Sequence, residues 1–271
     1  MVTGRVAAVS GARRPGGILR TGCLATSLAV LAGLASGTEA AEIRVFSAGA
    51  MKTMITELAE AFRQETGHTV LITAGTVGAL RQKAAAGEPA DVFILSDVAI
   101  DDLARQGLVV PGTRTDLART AIGVGVKEGA PRPDISTPEA LKQTLLAVKS
   151  FVYIDPASGG TSGIHFAGVL QRLGIADAVK DKALLWPGGL AAEAVVKGQA
   201  ELVVHQISEI LPVKGVTLVG PLPKELQKVT TYSAGLAAKS AMSDVARTFI
   251  AYLARPVLRP KFEAAGLDYR E

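Results

Sequence analysis

Apolar residues return along this chain at two alternating periods. Glu42 to Ala48 (EIRVFSA) alternates and is β-branched or aromatic, which predicts a strand. In the following AMKTMITELAEAFRQETG, residues Met51, Met54, Ile55, Leu58, Ala61 and Phe62 recur at helical spacing, and Gly67 supplies the stop. HTVLITAG predicts a second strand, GALRQKAAAG a helix ending at Gly87, ADVFILSD a strand buried on both faces, and VAIDDLARQG a helix ending at Gly107. Strand and helix in strict alternation is the rhythm of a doubly wound α/β sheet. A Gly-containing strand from Thr120 to Gly129 leads into a proline-rich connection that caps a helix near Ser136–Thr137, and the rhythm restarts. SFVYID, AELVVHQ, VTLVGPLP and VTTYSAGLAA predict strands; SGIHFAGVLQRLG and GLAAEAVVKG predict helices. AMSDVARTFIAYLARP closes the chain as an amphipathic helix with Ala246, Phe249, Ile250 and Leu253 on one side. The fold class expected is α/β: two doubly wound lobes, residues 41–121 with 231–271 and residues 122–230, with Thr120–Val126 and Thr230–Ala237 as crossover strands.

The first 40 residues break the pattern. Arg5, Arg13, Arg14 and Arg20 precede the apolar run Cys23 to Gly37, and Thr38 to Ala40 place small residues at −3 and −1 of a cleavage site. This is the layout of a secretory signal peptide and implies a periplasmic protein. The apolar run is shorter than the roughly 20 residues a transmembrane helix needs. Arg13-Arg14 fits a twin-arginine signal poorly, and Cys23 precedes the apolar run instead of ending it, against a lipoprotein. Cys23 is the single cysteine, so the mature chain has no disulfide, thiolate metal site or cysteine nucleophile. Four of the 29 Lys and Arg and one of the 25 Asp and Glu fall in this segment, leaving a net charge of only about +1 beyond it. Without a basic stripe and interleaved aromatics, nucleic acid is not an expected partner.

Four strand-to-helix turns have an unusual composition: Ser47 to Met51, Ala74 to Leu80, Asp155 to Gly163 (DPASGGTSG) and Trp186 to Glu193. All are small, and the segments after Asp155 and before Glu193 carry no charge. Helix N-termini present unpaired N–H groups and a partial positive charge, glycine lets a backbone approach a ligand, and Ser and Thr add hydroxyl donors. Any one such turn is an ordinary cap. Four of them, two per lobe, imply an anion held between the lobes by neutral donors. Enzyme motifs find no match: His68, His165 and His205 form no H-E-x-x-H pattern, no G-x-S-x-G elbow occurs, and GVGVKEG lacks the P-loop Lys-Ser pair. Asp155, Ser158 and His165 lie around one turn and read as local capping.

GEPADVFILSD with LARQGLV after it, IRVFSAGAM, IDPASGGTSGI and VVKGQAELVVHQISEI resemble the periplasmic molybdate-type solute-binding proteins of ABC importers, in the type II periplasmic binding protein superfamily. The resemblance covers nearly all of the mature chain. It implies a monomer that closes around one small anion without cofactor or metal and docks on transporter membrane subunits. Its ligand loops fall on the four turns. Ser47, Gly49, Ala50 and Met51 form the first, with Ala50 at the usual ligand serine; Thr76, Val77 and Gly78 form the second. Ser158, Gly160, Thr161, Ser162 and Gly163 form the third, Gly188 and Gly189 the fourth, and Gln206 stands at the family's tyrosine beside His205. Two usual hydroxyls are missing and the third loop is about two residues longer. The ligand is thus a molybdate- or tungstate-like oxyanion, or a larger di- or tricarboxylate reached by His205 and Gln206 with charge from Lys52 or Arg81. The expectation is a non-catalytic binding protein; a sensory module and an exported hydrolase or isomerase acting through His165 are the alternatives.

Overall fold

A computed structural model describes residues 40–267; the expected signal peptide, apart from Ala40, lies outside the described residues. Ten strands alternate with helices. The first half runs β1 (Glu42–Ala48), α1 (Gly49–Thr66), β2 (Thr69–Gly75), α2 (Val77–Ala85), β3 (Val92–Ser96), α3 (Asp97–Arg105), β4 (Thr115–Thr120) and β5 (Ile122–Lys127). Then follow α4 (Pro138–Ala147), β6 (Phe151–Ile154), α5 (Thr161–Arg172), β7 (Ala183–Trp186), α6 (Glu193–Val196), β8 (Leu202–Gln206) and α7 (Ile207–Ile210). The chain finishes with β9 (Val216–Pro221), β10 (Thr230–Leu236), α8 (Ser243–Leu253) and α9 (Arg259–Ala264).

The strands form two five-stranded sheets, ordered β2-β1-β3-β10-β4 and β7-β6-β8-β5-β9. Each follows the same plan. Three strands run parallel, β1 with β2 and β3 in one sheet and β6 with β7 and β8 in the other. A strand entering next to a crossover, β10 or β5, then inserts antiparallel. The parallel strands β3 and β6 are buried on both faces, as their uninterrupted apolar runs require. Each lobe has its own core. In the first, Phe62 of α1 packs edge-on against Phe249 and Tyr252 of α8, ring centroids 5.0 and 5.3 Å apart. In the second, Phe166 of α5 meets Phe151 and Tyr153 of β6.

The strand expected from Thr120 to Gly129 is two strands in two sheets. Only Ala121, fully buried, separates β4 from β5. The return crossing is the segment between β9 and β10, so Thr230–Leu236 belongs to the first sheet and is not itself the linker. Gln227 staples the two crossings together. Its Oε1 accepts from the Ile122 N–H (2.9 Å), and its Nε2 donates to the Ile122 carbonyl (2.8 Å). The helix expected in GLAAEAVVKG shrinks to Glu193–Val196, because Gly188 and Gly189 hold extended and left-handed conformations before it and Gly198 (φ 71°) ends it. Two strands, β4 and β7, were not marked by alternation.

Candidate functional site

The carboxyl ends of the parallel strands in both sheets face one cavity of about 30 Å³, room for roughly two waters. The first lobe contributes Ala48, Gly49 and Ala50 at the start of α1, Gly75, Thr76 and Val77 at the start of α2, and Tyr232 from β10. The second contributes Ile154, then Gly160, Thr161 and Ser162 at the start of α5, and Gly189, His205 and Glu209. Three helices therefore begin at the cavity. Thr76 caps α2 with its hydroxyl, which accepts from the Ala79 N–H (3.2 Å). The starts of α1 and α5 have no side-chain cap. Their free amides are the natural place for an anion.

The lobes touch at the rim. The Gly78 N–H donates to the Gly159 carbonyl (3.0 Å), and the Thr76 hydroxyl donates to the Ser158 carbonyl. A Cβ on Gly78 would stand 2.7 Å from the Gly159 Cα, so glycine is required for this approach. Deeper in, Thr161 Oγ1 lies 3.2 Å from the Tyr232 hydroxyl, and Gln206 Nε2 donates to Thr161 Oγ1 (3.1 Å).

Two titratable groups dominate the electrostatics. His205 is 2% exposed. Its Nδ1 accepts from the Gln206 N–H (2.8 Å) and faces the Ser162 hydroxyl at 3.2 Å, so the proton sits on Nε2, which donates to the Gly189 carbonyl (3.1 Å). Burial pulls His205 down to about 4 and keeps it neutral. Glu209 is 6% exposed and lies 3.5 Å from His205 Nε2, and burial pushes its carboxyl up to about 8. Between about pH 4 and 8 the contact therefore joins two neutral groups and is not an ion pair. Neither Lys nor Arg lines the cavity. Burial and the charge of Glu209 together raise the Tyr232 hydroxyl far above the usual phenol range.

The structure brings Gly49, Ala50, Thr76, Val77, Gly160, Thr161, Ser162, Gly189 and His205 together as lining. Ser158 and Gly78 sit in the rim contact, and Gly188 lies beside the Thr76 methyl. Ser47, Met51 and Gly163 are buried outside the lining: Ser47 hydrogen-bonds toward the Ala48 carbonyl, Met51 belongs to the first core, and Gly163 packs against the Ile154 carbonyl. Gln206, 1% exposed, stands behind Thr161 and Tyr232. Lys52 is exposed and Arg81 pairs with Asp102 at 3.1 Å; neither supplies charge to the cavity. His165 Nε2 bonds the Leu226 carbonyl (2.7 Å), a structural contact away from the lining. Glu209 and Tyr232 were missed by sequence. The available signal was an acidic residue framed by Ile207 and Ile210 directly after a strand end. Among the described residues no group of three or more His, Cys, Asp or Glu is placed to hold a metal ion.

Two α/β lobes, each crossed into by short segments, with an anion-suited cavity at their strand ends, define a two-lobed solute-binding protein of the type II periplasmic architecture. The chain belongs to the family described as bacterial extracellular solute-binding protein, whose model matches residues 43–268. It is 34% identical over 231 residues to an aconitate isomerase of a Pseudomonas species, spanning 83% of this chain and 87% of that one. It is 27% identical over 243 residues to the molybdate-binding protein ModA of Azotobacter vinelandii, spanning 86% and 92%. The solved structure of the Azotobacter vinelandii periplasmic molybdate-binding protein superposes with a TM-score of 0.71 at 20% identity, covering 84% of this chain and all of that one. The molybdate-type resemblance and the two-lobed α/β fold are thus correct. The expectation that the chain is not an enzyme is overturned by the aconitate isomerase relative.

Proposed function

We propose that this protein is an isomerase that moves a proton along a small unsaturated polycarboxylate of the aconitate class, captured between its lobes. The observation that carries this is Glu209, a buried carboxyl facing an anion-suited cavity with no cation in the lining. An ionised carboxylate there would repel an anion; a protonated one donates a hydrogen bond to it. A proton carrier works best with a pKa near the operating pH, and burial moves Glu209 in that direction. The uncapped starts of α1 and α5 hold the substrate carboxylates. Glu209 hands its proton to the substrate carboxylate that it faces, and the carboxylate so formed on Glu209 takes a proton from the CH₂ carbon beside the double bond. The C–H electron pair spreads over the three-carbon unit and its carboxylates, and Glu209 returns the proton to the far carbon. The double bond shifts, one C–H bond breaks and one forms, and no cofactor is consumed.

The second reading is delivery of a bound oxyanion to the membrane subunits of an importer. The neutral amide-and-hydroxyl half of the cavity and the molybdate-binding relative favour it. The two readings separate on turnover. Incubation with trans-aconitate, followed by proton NMR, is expected to give the cis isomer. Glu209→Gln is expected to lower kcat at least 100-fold. Tight molybdate binding without any isomerisation would overturn the isomerase assignment.

A further inference from the structure

The Glu209 carboxyl belongs to the second lobe, yet it rests on the first. An added Cβ at Gly49, the opening residue of α1, would stand 2.5 Å from Glu209 Oε1 and 3.5 Å from its Cδ. The next nearest atom, the Gly75 carbonyl oxygen, is 3.9 Å away. The carboxyl tip is therefore the one close obstacle to a side chain at position 49, and glycine is what lets it seat there. Gly49 is not in a left-handed conformation, so backbone geometry does not demand glycine.

The seat is also uncapped. Ala48, ahead of α1, offers no side-chain acceptor to the helix amides. Glu209 is more than nine-tenths buried, and His205 Nε2 lies 3.5 Å from its Oε1. The elements packed on α7 are α1, β5, β8 and β9. Of their titratable groups, His205 on β8 faces the carboxyl, and Tyr232 of β10 reaches it across the cavity. Lys52 on α1 and Lys127 on β5 are exposed, and β9 carries no titratable group. The first lobe's wall, Ala48 to Ala50 and Gly75 to Val77, faces Glu209 from the other side of the cleft, and Gly49 lies against its carboxyl tip.

We propose that Gly49 is a positioning residue: its missing side chain lets the Glu209 carboxyl seat against the start of α1 on closure, so that closing on an anion and protonating Glu209 are one event. With the lobes apart the carboxyl is hydrated and ionised. With the lobes together it is dry and keeps a proton, which it places against the bound anion. This rests on the proposed role of Glu209 but not on turnover, so the two are separable.

The test is isothermal calorimetry of the full-length mature chain with tricarballylate, a saturated tricarboxylate that has no double bond to move. Titrations at pH 6.5 in two buffers of different ionisation enthalpy give the protons taken up per anion bound. The wild type is expected to take up close to one, falling toward zero above pH 9.5. Gly49→Ala is expected to bind with less than about a third of that uptake and to keep its thermal midpoint, since the only clash is with a mobile carboxyl tip. Gly49→Ala combined with Glu209→Asp, which adds one carbon and removes one, is expected to recover the uptake. Equal uptake in wild type and Gly49→Ala, or none in the wild type, would overturn the inference while leaving aconitate turnover untouched. If tricarballylate does not bind, the carboxylate reading falls and the same titration with molybdate decides the inference. Binding of neither anion overturns both.

Discussion

Replacing Glu209 by Gln should change how stability depends on pH when both proteins are held closed by saturating tricarballylate. Glutamine keeps the shape of the neutral carboxyl and removes its titration. Glu209 is raised from its ordinary 4.5 to about 8 where the closed lobes bury it. Between those values the native state holds a proton that the unfolded state has released, so ν_N exceeds ν_U and stability falls as pH rises. His205, lowered from 6.5 to about 4, works in the opposite sense. There the unfolded state holds the extra proton, and stability rises with pH from about 4 to 6.5. The histidine contribution is common to wild type and Glu209→Gln and cancels in their difference. Between pH 6.5 and 8 the remaining slope approaches 1.4 kcal/mol per pH unit at first and halves near 8, or about 1.5 kcal/mol in total. Urea unfolding of both proteins in saturating tricarballylate at pH 5, 6.5 and 8 measures it. The variant should gain on the wild type as pH rises, with unchanged m-values. Parallel curves would refute the reasoning, because they would show that Glu209 titrates alike in folded and unfolded chains.

Gly78→Ala places a methyl against the Gly159 backbone and should weaken anion affinity at least tenfold while leaving the thermal midpoint within a few degrees; calorimetry and a thermal melt separate the two. Gln227→Ala leaves the Ile122 N–H and carbonyl without their staple and should cost about 1–3 kcal/mol of stability, read from urea unfolding. Phe62→Ala empties the contact between α1 and α8 and should cost about 3–5 kcal/mol by the same measurement, the largest loss of the three.

What could be read from the sequence was what repeats locally. β3 and β6 are apolar almost throughout because both their faces are buried, β1 alternates at its exposed start, and Gly67, Gly87 and Gly107 close their helices at φ 72–81° as their positions suggested. β4 (TDLART) has no apolar alternation because it is an edge strand, held by pairing with β10. β7 (ALLW) is short and only half-buried at its own edge. The donor-rich turns were visible because helix starts and glycine are local features. Glu209 and Tyr232 were not, since their roles come from partners in the other lobe. Glu209 acquires its character only when Gly49, some 160 residues earlier, is laid against it. Arg81 failed as a charge donor for the same reason: its partner, Asp102 on α3, is set by helix packing.

The position of β10 in the first sheet has a consequence for how the chain assembles. β10 is not an edge strand; it stands between β3 and β4 and bonds both. The second sheet draws all its strands from one unbroken stretch, Ile122 to Pro221, and needs nothing from either end of the chain. The first sheet stays open, with β3 and β4 unjoined, until residue 236 has been made. Pairing across so long a separation is slow. The second lobe should therefore consolidate early and the first late, so a chain emerging from synthesis carries an unfinished, threadable front half until nearly its end.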